Sequence, residues 1–445
     1  MVANRGEIVA RVIRTCQKLR IKTVAVYSDA DRNFSYLKHA DEALHIGPSN
    51  PIKSYLNVEA ILDAVKASGA DAVHPGYGFL SENSHFAEAV VAGGVTWVGP
   101  PPAVLKAIDS KSACRKIAGD AGVPAVPGTV DIVRDVETIL LFASEHGYPV
   151  VLKLDKGGGG KGIEQVNHEG QVKDAFEKLS RIGLMAFGHP ESYVEKRILN
   201  PRHIEVQFLA DSFGDCVCLG ERECSIQRRY QKIIEESPSP AVTEADRKAL
   251  FLHTTCLAKA MGYVGAGTME FLRSERGEYF FMEVNARLQV EHPVTEFLTG
   301  IDIVEKQLRI AAGERLGCRQ EDVTFEGHAI EARIYAEDPV SFCPSPGTIT
   351  RLRLPATDSP GLRIDHAMDE GGVVPPYYDP LLAKVIAHGE TREAAIERLK
   401  TTLAHFHVEG IKTTIPANLL ILNSREYAEG DLHTGFIERL FPQQT

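Results

Sequence analysis

The first hundred residues alternate between helical and strand periodicities. Segments with apolar residues at every third or fourth position predict helices, and short apolar runs rich in β-branched residues predict strands. The predicted helices span residues 7–19, 57–67 and 84–91, and the predicted strands span residues 23–27, 72–74 and 96–98. This rhythm predicts a parallel sheet with helices on both faces and ligands beyond the strand ends. The glycine-punctuated loop over residues 74–83 follows one such end and is predicted to bind a ligand.

A later strand–turn–strand pattern predicts a hairpin that brings two carboxylates together. The strand-like runs 265–272 and 279–284 flank a turn-forming sequence. Residue numbers that face each other in an antiparallel hairpin sum to a constant, so Glu270 is expected almost opposite Glu283. Two facing carboxylates repel unless a cation or proton lies between them. With the adjacent Asn285, these oxygen donors favour Mg²⁺ or Mn²⁺ and predict a metal–nucleotide site.

The run over residues 280–296 continues this hairpin and is the most informative feature of the chain. Its intervening positions are apolar, and every second position is polar. These polar residues are Glu283, Asn285, Arg287, Gln289 and Glu291. Alternate side chains of an extended backbone share a face, so the run predicts one polar wall. An edge strand with one solvated face is the alternative. The mixture of both charge signs favours an active-site wall.

A glycine-rich segment follows the strand predicted over residues 149–154. Gly157, Gly159 and Gly162 fit a dinucleotide fingerprint formally, but the residues after them predict a returning strand where that fingerprint requires a helix. The Walker-type phosphate-loop motif is also not matched, because it requires serine or threonine after its lysine and Lys161 is followed by a glycine. The remaining interpretation is a flexible hairpin tip whose amides and lysines close over phosphates. A purely structural turn is the alternative. Lys153, within the apolar strand, requires an anionic partner.

Composition limits the class of protein. The 445 residues predict about two to four domains, and a net charge of −11 argues against nucleic-acid and anionic-membrane partners. No apolar run approaches the ~20 residues of a membrane span. Eight scattered cysteines fit a reducing compartment, the cytoplasm or the mitochondrial matrix of a processed eukaryotic chain. Cys216 and Cys218 are interpreted as strand residues, not zinc ligands. The amino terminus is interpreted as lacking signal character, and its opening strand as clipped.

Several long motifs occur in one order along the chain. They are Ala3-Asn-Arg-Gly-Glu-Ile, His74-Pro-Gly-Tyr-Gly-Phe-Leu-Ser-Glu-Asn, Glu195-Lys, Asn200-Pro-Arg-His-Ile-Glu, Cys224-Ser-Ile-Gln-Arg-Arg-Tyr-Gln-Lys, Met282-Glu-Val-Asn-Ala-Arg-Leu-Gln-Val-Glu-His-Pro-Val-Thr-Glu and Pro376-Tyr-Tyr-Asp. With these motifs, the chain resembles the biotin carboxylase family of the ATP-grasp superfamily, colinearly from Val2 to about residue 440.

The resemblance implies a mixed α/β and α+β fold with three domains. A Rossmann-like N-terminal domain is expected over residues 1–108 and an ATP-grasp domain over residues 109–324. Within the ATP-grasp domain a mobile lid is expected over about 129–194. An α+β C-terminal domain is expected over residues 325–445.

The resemblance also assigns a role to particular residues. ATP is expected to contact Lys111, Lys153, Gly159, Gly160, Glu195, Lys196, Ile198, His203, Gln227, Tyr230, Glu270 and Glu283. Two Mg²⁺ or Mn²⁺ ions are expected at Glu270, Glu283 and Asn285. Bicarbonate is expected at Lys232, Arg287, Gln289 and Val290, and biotin at Tyr77, Arg287 and Arg333. The expected catalytic residues are Arg287, Glu291, Lys232 and Arg333.

The implied reaction is ATP-dependent carboxylation of biotin with bicarbonate through carboxyphosphate. It is the first half-reaction of a biotin-dependent acyl-CoA or 2-oxo-acid carboxylase. The chain has no Met-Lys-Met segment, so the biotin is expected on a separate carrier protein or domain, with a carboxyltransferase subunit and a homodimer as further partners. A carbamoyl-phosphate-type ligase and an inactive ATP-binding scaffold are the alternatives.

The chain departs from the family pattern at the nucleotide. Tyr230 stands where the family often has histidine, so an altered nucleotide affinity is expected. Leu154, Asp155 and Lys156 before the glycines are bulkier and more charged than usual, and Ile163 begins an uncommon continuation after them. Closure of the lid is therefore the expectation that the resemblance supports least.

Overall fold

A computed structural model of the chain describes residues 1–156, 162–356 and 360–442. The N-terminal region contains four helices and four short strands. They are α1 (Glu7–Lys18), β1 (Val24–Ser28), β2 (Glu42–Gly47), α2 (Val58–Ser68), β3 (Ala72–Val73), α3 (Ser84–Ala92), β4 (Thr96–Trp97) and α4 (Pro102–Asp109). Strand β1 pairs with β2 and β3 pairs with β4, both in parallel, and Val2 bridges Ala25 and His74 between the two pairs. The predicted parallel arrangement is confirmed.

The next region contains a small sheet with its own core. Its elements are α5 (Lys111–Asp120), α6 (Val136–His146), β5 (Val150–Leu154), β6 (Ile163–Val166), α7 (Val172–Phe187) and β7 (Ser192–Lys196). The sheet order is β6–β5–β7, and Leu152, Leu179 and Val194 lie in its separate core. The antiparallel pairing of β5 with β6 confirms the returning strand predicted after the glycines. Gly159 and Gly160 lie outside the described residues.

A large antiparallel sheet forms the body of the protein. Its first part contains β8 (Arg202–Ala210), β9 (Cys216–Arg228), β10 (Gln231–Ser237), β11 (Gly265–Arg273) and β12 (Tyr279–Asn285), with helices α8 (Glu244–Ala260), α9 (His292–Thr299) and α10 (Ile303–Ala311). One core joins Phe208 and Phe271 of this sheet to Val73 and Phe86 of the N-terminal region. The packing therefore holds the loop after β3 against the sheet.

The C-terminal region extends the same sheet. Its elements are β13 (His328–Tyr335), β14 (Gly347–Thr348), β15 (Arg351–Arg353), β16 (Leu362–His366), β17 (Val373–Val374), β18 (Leu381–Gly389), α11 (Arg392–Ala404), β19 (His407–Glu409), α12 (Ile415–Leu422), α13 (Arg425–Ala428) and α14 (Phe436–Leu440). The full sheet order is β12–β11–β8–β9–β10–β13–β18–β16. Because β10 pairs with β13, the sheet crosses the predicted boundary at residues 324 and 325. The predicted domain limits stay predictions.

Local sequence explains where several helices begin. Asn57 caps α2 by accepting from the Ala60 amide, and Thr243 and Asp246 form a reciprocal capping box at α8. Among the described residues, no helix combines the length and the apolar character needed to cross a bilayer.

Candidate active site

A cleft of about 2240 Å³ opens between the N-terminal region, the small sheet and the large sheet. Most of the predicted site residues line it. They are Tyr77, Lys111, Lys153, Glu195, Lys196, Ile198, His203, Gln227, Tyr230, Lys232, Glu270, Glu283, Asn285, Arg287, Gln289, Val290 and Arg333. Glu291 is fully buried and is not part of the lining, but it contacts Lys232 and Arg333, which are. The fold thus brings together residues that are more than two hundred positions apart in sequence.

Lys153 has a protein partner on the small sheet. It lies on β5 and forms an ion pair with Glu195 of the neighbouring strand β7. Arg115 approaches the same carboxylate at 3.3 Å and donates to the Val126 carbonyl at 2.6 Å. The anionic partner that the sequence requires for Lys153 is therefore supplied at least in part by the protein. Lys196, the last residue of β7, donates to the carbonyls of residues 147 and 148, which lie just before β5.

The predicted hairpin register is confirmed, since Glu270 of β11 pairs directly with Glu283 of β12. His203 lies 2.9 Å and Lys232 lies 3.0 Å from the Glu270 carboxylate. Burial opposes the ionisation of Glu270, but Lys232 and His203 outweigh it and lower the Glu270 pKa. Burial raises the pKa of Glu283, and Lys111, whose Nζ lies 4.0 Å away, offsets this only in part.

The donor set fits a hard divalent cation. Glu270, Glu283 and Asn285 supply oxygen atoms from two paired strands. The neighbouring lysines do not bring the raised pKa of Glu283 back to its ordinary value. A cation between the carboxylates would favour the ionised form of both. Three oxygens from the protein leave coordination positions for water and phosphate, as Mg²⁺ prefers.

The expectation of one extended strand through Glu291 is wrong. Strand β12 ends at Asn285, residues 286–290 are irregular, and Glu291 is the residue that precedes helix α9. The side chains nevertheless converge, because Arg287 bends back to Asn285 (3.2 Å) and to Gln289 (2.9 Å). The residues of the alternating pattern lie together at or beside the cleft, but a loop, not a pleated strand, brings the last of them there.

Glu291 lies at the centre of a buried charge network. One carboxylate oxygen accepts from Lys232 at 2.6 Å, and the other accepts from Arg333 at 2.9 Å. Burial opposes its ionisation, but Lys232 and Arg333 lower the pKa of Glu291 below its ordinary value. Glu291 is therefore ionised at neutral pH and is able to accept a proton. The sequence assigned no role to Glu205, although this residue ends the motif Asn200-Pro-Arg-His-Ile-Glu. Its carboxylate binds Lys232 and Arg222, and only the tertiary structure shows these contacts.

The far end of the cleft is formed by the loop after β3 and by the strands of the C-terminal region. Tyr77 lies in that loop, and its hydroxyl donates to Glu7 at the start of α1. Arg333 lies on β13, where its Nε donates to Glu235 at 2.6 Å. The Arg333 guanidinium is thus held between two carboxylates, those of Glu235 and Glu291. Arg333 and Tyr77 line the same cleft.

The unusual residues before the glycines have a structural role. Asp155 is 2% exposed, and its carboxylate accepts from the Ser112 amide at 2.8 Å and from the Ser110 hydroxyl at 2.9 Å. These donors lie at the start of α5, beside Lys111. A carboxylate at a helix N-terminus stabilises the first turn. Asp155 therefore fastens the end of β5 to the helix that carries a predicted ATP ligand.

We expect Asp155→Ala to raise the Michaelis constant for ATP by roughly fivefold, because loss of a helix cap costs about 1 kcal/mol. Steady-state kinetics at saturating bicarbonate measure this. The matched control is Asp135→Ala, which removes the cap of α6 in the same small domain, where Asp135 accepts from the Thr138 amide at 2.8 Å. An equal change in both variants would show that Asp155 contributes only general stability.

Tyr230 lies in a tight turn at the rim of the cleft. Arg229 and Tyr230 connect β9 to β10 with φ values of 49° and 66°, and Arg228 pairs with Gln231 across them. Two left-handed residues between paired strands are typical of a type I′ turn. The Tyr230 side chain is 59% exposed. The expected effect of Tyr230 on nucleotide affinity stays a prediction.

Three family models match the chain consecutively. The model described as "Biotin carboxylase, N-terminal domain" matches residues 1–105, and "Carbamoyl-phosphate synthase L chain, ATP binding domain" matches residues 110–319. "Biotin carboxylase C-terminal domain" matches residues 331–439. The three matches follow one another along the chain without overlap.

Individual relatives cover almost the whole chain. Biotin carboxylase 2 of Bacillus subtilis is 49% identical over 439 residues, which are 99% of this chain and 98% of that protein. A crystal structure of the biotin carboxylase domain dimer of Hydrogenobacter thermophilus 2-oxoglutarate carboxylase, in complex with MgADP, ADP and bicarbonate, has a TM-score of 0.96 and 45% identity, covering 99% of this chain and 97% of that one. Fold and site together define an ATP-dependent ligase of the ATP-grasp class. The chain belongs to the biotin carboxylase family.

Some relatives are parts of larger carboxylases. The propionyl-CoA carboxylase alpha chain of Ruegeria pomeroyi is 44% identical over an alignment of 462 residues, gaps included, that covers 100% of this chain and 68% of that protein. The Hydrogenobacter thermophilus structure is a dimer of the domain. The family therefore includes both separate subunits and domains of longer chains.

Proposed function

We propose that the chain carboxylates biotin with bicarbonate and ATP, through carboxyphosphate, as the first half-reaction of a biotin-dependent acyl-CoA or 2-oxo-acid carboxylase. The observation that carries the proposal is the buried contact of Glu291 with both Lys232 and Arg333. It connects the predicted bicarbonate residues to the predicted biotin residues within one cleft. The biotin carboxylase models on both sides of the ATP-binding match favour this reaction over carbamoyl-phosphate formation.

Nucleotide binding is assigned to the small sheet and the hairpin. Lys111 and Lys153 neutralise the phosphates, and residues 195–198 at the end of β7 receive the adenine, with His203 and Gln227 beside them. Glu270, Glu283 and Asn285 would hold two Mg²⁺ or Mn²⁺ ions, which supply neutralisation of the charge on the transferred phosphoryl group. Gly159 and Gly160 are proposed to close over the phosphates, and they lie outside the described residues.

Bicarbonate is a poor nucleophile and needs both orientation and loss of a proton. Arg287 and Lys232 provide two fixed cations for its oxygens, with Gln289 and the backbone of Val290 completing the site. Arg287 is held by Glu82 at 3.1 Å, so its fork is oriented before the substrate arrives. Glu291 accepts the bicarbonate proton as the oxygen attacks the γ-phosphorus of ATP and ADP leaves.

The product of this step is carboxyphosphate, which breaks down to CO₂ and phosphate. The phosphate removes the N1 proton of biotin, and N1 attacks CO₂. Arg333 stabilises the negative charge that develops on the ureido oxygen, because it is buried and held in one orientation by Glu235 and Glu291. Tyr77 borders the biotin site.

The proposed partners follow from the reaction. Biotin reaches the cleft on a carrier protein or domain, and a carboxyltransferase subunit uses the product. We also propose a homodimer, supported by the dimeric relative. All eight cysteines are free thiols in the structure, which supports a reducing compartment such as the cytoplasm.

ATP hydrolysis by the purified chain tests the proposal directly. We expect turnover that depends on bicarbonate and is stimulated by free biotin at high concentration, since biotin consumes the CO₂ formed in the cleft and passes its N1 proton to the phosphate that is released. Release of inorganic phosphate is measured with and without each substrate. Nucleotide binding without turnover would instead support the scaffold alternative, and dependence on ammonia would support a carbamoyl-phosphate-type ligase.

A further inference from the structure

A buried lysine outside the predicted site connects two walls of the cleft. Lys384 lies on β18, and its side chain is fully buried. Its ammonium donates to the Val290 carbonyl at 2.9 Å and lies 3.2 Å from the Glu7 carboxylate. A buried lysine is unfavourable unless its charge is paired, so these two contacts fix the position of the ammonium.

Glu7 links Lys384 to Tyr77 on the other wall of the cleft. It lies on the first turn of α1 and is 5% exposed. The carboxylate oxygen that pairs with Lys384 also accepts from the hydroxyl of Tyr77. The Lys384 ammonium lies 6.0 Å from the centroid of the Tyr77 ring. One carboxylate thus holds both the lysine and the tyrosine that borders the proposed biotin site.

The contact with Val290 matters because the segment before α9 belongs to neither a strand nor a helix. Its carbonyl groups therefore need partners outside a strand ladder. His292 Nδ1 lies 2.8 Å from the Gln289 carbonyl, and Lys384 donates to the next carbonyl along the chain. Lys384 consequently fixes the peptide between Val290 and Glu291, and with it the point from which the Glu291 side chain begins.

We infer that Lys384 and Glu7 are positioning residues that hold the bicarbonate segment and the biotin wall in one arrangement, an inference that rests on the proposed function. They touch neither substrate and act through Val290 and Tyr77. The effect is selective, because the contacts described for Lys384 and Glu7 include no residue proposed to bind ATP.

Two variants test this inference. Lys384→Met keeps the length of the side chain and removes the charge, and Glu7→Gln keeps an acceptor for Tyr77 while it removes the carboxylate charge that pairs with Lys384. A buried hydrogen bond to a charged group contributes about 1.5–3 kcal/mol, so we expect the Michaelis constants for bicarbonate and biotin to rise ~10-fold or more. The Michaelis constant for MgATP should stay within about twofold of the parent.

The control is Arg247→Met. Arg247 makes two 2.7 Å bonds to the buried Glu221, and neither residue lines the cleft. We expect this variant to lower the melting temperature and to leave all three Michaelis constants unchanged. The comparison separates loss of a buried ion pair from loss of positioning.

Each outcome decides the question. Folded variants with parental constants for bicarbonate and biotin would overturn the inference, and so would an equal rise for MgATP. If Lys384→Met does not fold, Glu7→Gln alone decides by the same two criteria. A parent chain without biotin-stimulated turnover would instead refute the proposed function, and the inference would fall with it.

Discussion

Replacing Arg287 by alanine is expected to lower biotin carboxylation by roughly 10³-fold while ATP binding changes little, because a fixed cation that stabilises developing charge is lost. The contacts of Arg287 give the reason that ATP binding is expected to be retained. Arg287 contacts Glu82, Asn285 and Gln289, and the proposed adenine residues lie on a different element, the end of β7. Turnover is measured as biotin-dependent phosphate release, and nucleotide affinity by titration with a fluorescent ATP analogue.

Arg247→Ala is the matched control for this experiment. The two arginines are similarly buried, with side-chain exposures of 20% for Arg287 and 22% for Arg247, and each pairs with a glutamate. Arg247 lies outside the cleft lining, so its loss is expected to leave turnover unchanged. A parallel loss of ATP binding in Arg287→Ala would contradict the proposed separation of the bicarbonate and nucleotide residues.

The double substitution Glu270→Gln/Glu283→Gln is expected to reduce metal-dependent turnover by roughly 10³-fold, equivalent to about 4 kcal/mol in the barrier. Both carboxylates of the facing pair lose their charge, while the hairpin keeps its shape. The measurement is the rate of phosphate release as a function of Mg²⁺ concentration. A double variant with full metal-dependent activity would eliminate the proposed metal site.

Two further variants make the result specific. Glu275→Gln/Glu278→Gln removes two charges from the exposed turn of the same hairpin and is expected to leave the Mg²⁺ dependence unchanged. The single variant Glu283→Gln separates metal binding from the arrangement of Lys232, because Glu270 contacts Lys232 at 3.0 Å and Glu283 contacts Lys111 at 4.0 Å. Glu283→Gln should shift the Mg²⁺ requirement without changing the bicarbonate Michaelis constant.

Features that depend on local geometry could be predicted from the sequence. The facing pair Glu270 and Glu283 followed from the arithmetic of an antiparallel hairpin, which a short turn determines. The parallel N-terminal strands followed from the alternation of helical and strand periods. The prediction of one extended strand through Glu291 failed, because periodicity does not show where a strand ends. Strand β12 ends at Asn285.

The partners of buried charges could not be predicted. Lys153 clearly required an anion, but its partner Glu195 is decided by the pairing of β5 with β7. Glu205 and Glu7 lie within the motifs of the family, but the motifs do not show which charges these residues contact. Lys232 lies 27 positions from Glu205, and Val290 lies 94 positions from Lys384. No spacing rule relates such positions.

The amino-acid sequence by itself determined the types of element, the motifs of the family and the identity of the residues on the polar wall, because periodicity and hairpin pairing act over short distances. The tertiary structure alone decided which charges meet. The pKa of Glu291 lies below its ordinary value in spite of burial, because the packing brings Lys232 and Arg333 against it from two other strands. Coulombic contacts of this kind depend on the packing of the whole sheet, and packing brings together residues that the chain keeps apart.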